Sequence, residues 1–145
     1  MDHSQFKRVV SLVLLEHSDK RISLQLRDDF PHILNPNTWG FFGGGLEVGE
    51  DAVTAALREI EEELCVQLDP AKLTLVKAFQ IEPHKLHYLF SYPTDKELND
   101  ASVQEGQRMG TFSPAQIQSG KIEGHAVVEP HLEMMNWYWE NIKSM

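Results

Sequence analysis

The chain has 145 residues, 13 of them Lys or Arg and 22 Asp or Glu, for a net charge of −9 with 41% hydrophobic and 24% charged residues. This length supports one domain with a core of its own, and the composition is too apolar for a disordered chain. The acidity excludes non-specific binding to nucleic acid or to anionic membranes, so any phosphate handled here needs a cation to neutralise it. The single cysteine, Cys65, rules out an intramolecular disulfide and a Cys-rich zinc site. With no cationic start and only a short apolar run, Val9 to Leu15, the expected address is the cytoplasm, without signal peptide or membrane span.

In chain order, Phe6 to Leu15 reads as a buried strand. A polar turn, Glu16 to Lys20, follows. Arg21 to Arg27 alternates as a half-buried strand, with Ile22, Leu24 and Leu26 inward and Arg21, Ser23 and Gln25 toward solvent. Asp28 to Thr38, with two prolines and two asparagines, is a loop, and Trp39 to Phe42 is a short apolar run into Gly43-Gly44-Gly45. From Asp51 to Leu64 the period becomes helical, with Val53, Ala56, Ile60 and Leu64 as the apolar stripe. Lys72 to Ile81 and Lys85 to Tyr92 are strands split at Pro83. Thr94 to Gln104 is a polar loop, Arg108 to Phe112 a last short strand and Pro114 to Gln118 a helical turn. Pro130 to Ile142 is a C-terminal helix presenting Leu132, Met135, Trp139 and Ile142. Strands and helices without regular alternation imply an α/β or α+β domain with a mixed sheet.

The stretch that carries chemistry runs from Gly43 to Glu63. On a helix, Glu62 and Glu63 lie roughly 60° and 40° to either side of Glu59. Three carboxylates on one narrow face repel one another, and a hard divalent cation such as Mg²⁺ would turn that repulsion into ligation. Successive glycines between a strand and a helix let backbone N–H groups face phosphate and carbonyls face a metal. No Gly-Lys-Ser/Thr follows, so the run is not a P-loop.

Gly44, five residues, Glu50, seven residues, Arg58-Glu59-Ile60, one residue, Glu62-Glu63 resembles the Nudix box, with Val66 at its last apolar position and Cys65 in place of the box glycine. The resemblance implies a Nudix-type α/β/α sandwich around a mixed β-sheet, a single domain over 1–145 with its box at 44–66. It further implies Mg²⁺- or Mn²⁺-dependent hydrolysis of a nucleoside diphosphate linked to another moiety, such as a nucleoside triphosphate or nucleotide sugar. Carried onto this chain, Gly44, Glu59, Glu62 and Glu63 hold metal, and Glu50 and Arg58 orient the site. Glu59, Glu62 and Arg58 serve the chemistry. Glu105, in Gln104-Glu105-Gly106-Gln107, matches a Glu-Gly-Gln of MutT-like members whose glutamate adds a carboxylate to the metal site. The helix ends at Cys65, which either takes the left-handed conformation or marks a different ending; a small buried filler is the expectation for its side chain.

Substrate contacts are expected from Arg27, Trp39, Gly43 and Gly45, with Trp39 and Phe41 either stacking on a base or, as a reading of at least equal weight, packing in the core or its rim. A surface ion pair of Arg27 with Asp28 or Asp29 is the competing expectation. His84 and His87, three apart on a strand, point to opposite faces and do not chelate together. His125 and His131 stay unassigned. Trp137, Tyr138 and Trp139 surround a helix, and one of them could serve a homodimer contact. MutT-like readers of oxidised purines carry an Asn before the Glu-Pro pair. Here Val128 precedes Glu129-Pro130, which speaks against that substrate. Pro83, seventeen residues past Val66, stands near the place of a proline in ADP-ribose hydrolases. Two other readings remain open: an isopentenyl-diphosphate-isomerase-like enzyme, against which stands the lack of a cysteine outside the box, and a non-catalytic nucleotide-binding regulatory domain.

Overall fold

A computed structural model describes residues 3–143. Its centre is β1 (Arg8–His17), which pairs in parallel along its whole length with β6 (Lys85–Thr94) on one edge. The other edge is shared. β4 (Phe42–Gly45) runs antiparallel to Val10–Val13, and β2 (Ile22–Leu26) pairs beyond it at Leu15 and Glu16. β3 (Trp39–Gly40) and β7 (Arg108–Phe112) flank β2, and β5 (Thr74–Ile81) closes the far side against β6. The sheet is therefore mixed. β8 (Lys121–Ile122) and β9 (His125–Ala126) form a separate two-stranded ribbon.

Alternation along β1 assigns its two faces. Val10, Leu12 and Leu14 join Leu24, Trp39 and Phe41 beneath α3 (Glu129–Tyr138), where Met134, Met135 and Tyr138 are buried. Val13 and Leu15 join Phe42, Phe90 and Tyr92 beneath α1 (Ala52–Leu64), through Ala56, Ile60 and Leu64. Helix α2 (Pro114–Gln118), capped by Ser113 and Gln116, adds Ile117 to the first core. The chain is a single α/β domain with a mixed sheet between helical layers. Among the described residues no helix is long and apolar enough to cross a membrane.

Several expectations need correcting. β2 is buried on both faces, because Ser23 and Gln25 find partners: the Ser23 hydroxyl meets His17 and Thr111, and Gln25 meets Glu63. On α1, Val53 is exposed, and Ala55 and Glu63 are buried instead. The C-terminal helix presents His131, Met134, Met135 and Tyr138 inward, not Ile142, and continues as a π-helical turn over Trp139–Lys143. Trp137 packs edge-on against Phe79, Tyr138 donates to Glu16, and Trp139 packs on the core, so each of these aromatics has a place within the chain. The loop after β6 contains a 3₁₀ turn, Lys96–Asp100.

Candidate active site

Helix α1 starts cleanly because the Asp51 side chain accepts the Thr54 N–H. It ends at Cys65, whose φ of 57° and ψ of 33° are left-handed and whose N–H closes on the Glu61 carbonyl at 2.9 Å. Cys65 thus takes the glycine conformation of the box, but its side chain is exposed rather than a buried filler. Between these caps the helix places its glutamates in two settings.

The outer setting is built on Arg58. Its guanidinium donates to both oxygens of Glu50 at 2.8 Å, to Glu59 at 2.9 Å, to Glu62 at 3.2 Å and to the Gly45 carbonyl at 3.0 Å. The Arg58 hydrogen bonds hold the Glu50 carboxyl down to about 2, and the same contacts raise Arg58 itself. The Glu62 side chain is 56% exposed and lies outside the inner cluster.

The inner setting lacks such a cation. Ligand oxygens of Glu59, Glu63 and Glu105 all lie within 4.8 Å of one another. Glu63 is 2% exposed. Its Oε1 accepts the Gly43 N–H at 2.8 Å and its Oε2 accepts from Gln25 at 3.2 Å. Burial pushes its carboxyl up to about 8, the neighbouring Glu105 and Glu59 charges adding to the rise against the Gly43 bond. Glu59 is raised as well, again by burial first, with Arg58 opposing. Among the described residues Arg58 is the one basic side chain in ion-pair distance of this trio, and it touches Glu59 alone. An all-oxygen, partly buried set of three carboxyl groups with one arginine among them fits a hard divalent cation such as Mg²⁺.

The glycine run is not a free anion loop. It is strand β4, paired residue by residue with β1. Gly44 is needed for room: a Cβ there would stand 2.6 Å from the Glu59 carboxylate. Gly43 and Gly44 also border a cavity of about 250 Å³, walled by Arg8, Arg27, Phe41, His87 and His131 among others. Gly45 does not border it; its carbonyl serves Arg58.

Of the expected substrate contacts, Arg27 and Gly43 line the cavity. Arg27 donates to the Leu34 carbonyl, and no ion pair with Asp28 or Asp29 is formed among the described residues. Trp39 is a correction. It is fully buried, with its indole N–H on the Ile122 carbonyl and its ring edge-on to Phe112, so it belongs to the core and Phe41 takes the cavity wall. Two histidines that had no assignment from sequence also line the cavity. His131 accepts the Phe41 N–H on Nδ1 at 3.1 Å, which leaves the proton of the neutral ring on Nε2. Burial pushes its pKa down to about 3, and that of His87 to about 4. Gln25 went unseen as a site residue because period-2 alternation put it on the solvent side of β2.

A family profile described as NUDIX domain matches residues 5–135. The chain is 34% identical over 95 residues to the dihydroneopterin triphosphate diphosphatases of Escherichia coli (strain K12) and Shigella flexneri. The alignment takes in 60% of this chain and 59% of the length of those relatives. Among solved structures, a MutT NUDIX hydrolase from Burkholderia pseudomallei matches with a TM-score of 0.67 at 22% identity, over 87% of this chain and 95% of that one. DR0079 from Deinococcus radiodurans matches with a TM-score of 0.75 at 19% identity, over 90% and 82%. A bifunctional NMN adenylyltransferase/ADP ribose pyrophosphatase from Francisella tularensis, complexed with AMP and a Mn ion, matches with a TM-score of 0.66 at 16% identity, over 92% and 41%. These structural likenesses show the fold.

Proposed function

The chain belongs to the Nudix family, and on that premise we propose that it is a Mg²⁺- or Mn²⁺-dependent pyrophosphohydrolase. Its substrate is a nucleotide-like compound, cleaved at a phosphoanhydride bond. The observation that carries this reading is the trio Glu59, Glu63 and Glu105, whose one basic partner among the described residues is Arg58 on Glu59, beside the two glycines that border the cavity. Buried like charges of this kind are retained where a cation completes them.

Glu59, Glu63 and Glu105, with the Gly44 carbonyl, would hold the metal, and Glu62 stands next to them on the same helix. A bound divalent cation neutralises phosphate charge and lowers the pKa of a water. The protein's own part is orientation and proton transfer. Arg58 ties Glu50, Glu59 and Glu62 into one array. Glu105 reaches the trio from outside α1 and is the group we assign to accept the proton of the attacking water, with Glu59 as its neighbour. Arg27 and Phe41, on the cavity wall beside Gly43, suit a phosphate and a planar heterocycle. The relation to the dihydroneopterin triphosphate diphosphatases places pterin and nucleoside triphosphates first among compounds to test.

The test is release of phosphate or pyrophosphate from a panel of such triphosphates, nucleotide sugars and ADP-ribose, with Mg²⁺ and with chelator. Turnover that vanishes in chelator and returns with metal supports the proposal. Turnover undiminished in chelator overturns it. Binding of the panel without any release would favour a regulatory nucleotide-binding domain.

A further inference from the structure

The glutamates of the cluster come from two distant parts of the chain: Glu59 and Glu63 from α1, Glu105 from the loop before β7. What brings them into register is on β2. We propose that Gln25 is the positioning residue of the site, its carboxamide clamping Glu63 to the Glu105 loop; the proposal rests on the hydrolase reading above.

Gln25 is 4% exposed. Its Nε2 donates to Glu63 Oε2 at 3.2 Å and to the Glu105 carbonyl at 3.1 Å. The Glu105 carbonyl can only accept, so the amide nitrogen faces it, and the second N–H is used on Glu63 Oε2. No carboxylate, hydroxyl or thioether of the same length could serve two acceptors this way. Gly106, whose φ is 86°, lets the loop pass close over this side chain: a Cβ there would stand 2.7 Å from the Gln25 chain. Gly43 fixes the other oxygen of Glu63 from the opposite side. Glu63 is thus gripped at both oxygens, one by β4 and one by β2, while the free faces of the trio converge.

The loop has anchors that do not involve Gln25. Gln104 N–H bonds the Glu63 carbonyl at 2.8 Å, Gly106 N–H bonds Asp28 at 3.2 Å, and Gln107 N–H bonds the Leu26 carbonyl at 2.8 Å. The Gln107 side chain reaches Arg27 and Asn37. The path of the loop is therefore set by backbone contacts. The Gln25 amide sets the finer relation between the Glu63 carboxyl and the backbone of Glu105. Outer partners that orient metal ligands typically cost 10- to 100-fold in metal affinity or activity when removed.

Two variants separate reach from volume. Gln25→Met keeps the length and bulk and loses both donors; Gln25→Asn keeps the amide but stops short of its partners. Mn²⁺ alone is titrated into each purified protein and free Mn²⁺ followed by electron paramagnetic resonance. kcat and KM are then measured on the best triphosphate found for the wild type. Both variants are expected to bind Mn²⁺ about tenfold more weakly and to lose about tenfold in kcat, with KM for the triphosphate unchanged. A Gln25→Met protein with wild-type Mn²⁺ affinity and kcat would show that Gln25 only fills space, and would overturn the proposal. So would a lower melting temperature with Mn²⁺ affinity unchanged. If Gln25→Met does not fold, Gln25→Asn alone decides by the same two readouts. Wild-type protein that binds no Mn²⁺ and hydrolyses nothing overturns the hydrolase reading, and this one with it.

Discussion

Along one face of α1 the same residue type lives in two regimes. Around Arg58, Glu50 just ahead of the helix and Glu62 on it are ion-paired and hydrogen-bonded, Glu62 also open to water. One turn inward, Glu63 is buried against Glu59 and Glu105. The outer array is complete as it stands and can stabilise the fold. The inner trio has that arginine on Glu59 alone, and burial raises the Glu63 and Glu59 carboxyl groups. A local conflict tolerated inside an otherwise consistent fold is where function is expected. Burial with too few counter-charges, rather than the density of glutamates, separates a site from a solvated helix face.

The largest effect should come from breaking the inner trio. Glu63→Gln and Glu59→Gln are expected to lower kcat by at least about a hundredfold, the scale of a lost charge-stabilising group. Glu105→Gln should lower it by about ten- to ten-thousandfold if it takes the proton. Steady-state kinetics in Mg²⁺ checks all three, and a wild-type kcat in any of them removes that residue from the site.

Breaking the outer array should act on stability. Arg58→Met strips Glu50, Glu59 and Glu62 of their shared cation and should cost about 1–3 kcal/mol, the range for partly exposed charge-assisted hydrogen bonds. A urea melt measures it. An unchanged midpoint would mean that the array only orients the site.

pH separates the regimes within one protein. In chelator, the Glu63 carboxyl sits at about 8 in the fold against a reference of 4.5. Between these values the folded state keeps a proton that the unfolded chain has released, so stability falls as pH rises and levels off above about 8. His131 and His87, lowered from 6.5 to about 3 and 4, act oppositely but are spent above pH 6.5. Glu50, at about 2, acts below 4.5. From pH 6.5 to 8 the melting temperature of the metal-free protein should therefore drop, and Glu63→Gln should flatten that slope. A flat wild-type profile would contradict the burial of a protonated Glu63.

The smallest effect is at the helix end. Cys65→Gly relieves a left-handed residue whose side chain is exposed, and should raise stability by up to about 1 kcal/mol after the chain-entropy cost of glycine. A thermal melt lower than wild type would mean that Cys65 is held there by contacts of its own.

Much of this was legible in the sequence. Fixed spacing located the box helix and its carboxylates, because helical geometry maps separation in sequence directly onto angle. The mixed sheet followed from strands and helices that do not alternate regularly and from the family resemblance, while the order of strands within the sheet and the β8–β9 ribbon did not. What alternation could not show is whether the second face of a strand meets water or another layer. Ser23 and Gln25 looked solvent-facing for that reason, and Gln25 turned out to touch the site. Whether Trp39 meets a base or the core was equally open, because its burial depends on β7 and β8, which arrive about seventy and eighty residues later. That Glu63 is the buried member of Glu59, Glu62 and Glu63 goes with the donors that β4 and β2 offer it, and no helical wheel contains that information.

A melting curve with and without Mg²⁺ at pH 8 tests the cation site most directly. A ligand that binds only the folded protein stabilises it by about 2.7 kcal/mol at a hundred times its dissociation constant. Wild-type protein should melt several degrees higher in saturating Mg²⁺ than in chelator, and Glu63→Gln should show little or no shift. An equal shift in both proteins, or none in the wild type, would contradict a divalent cation held by Glu59, Glu63 and Glu105.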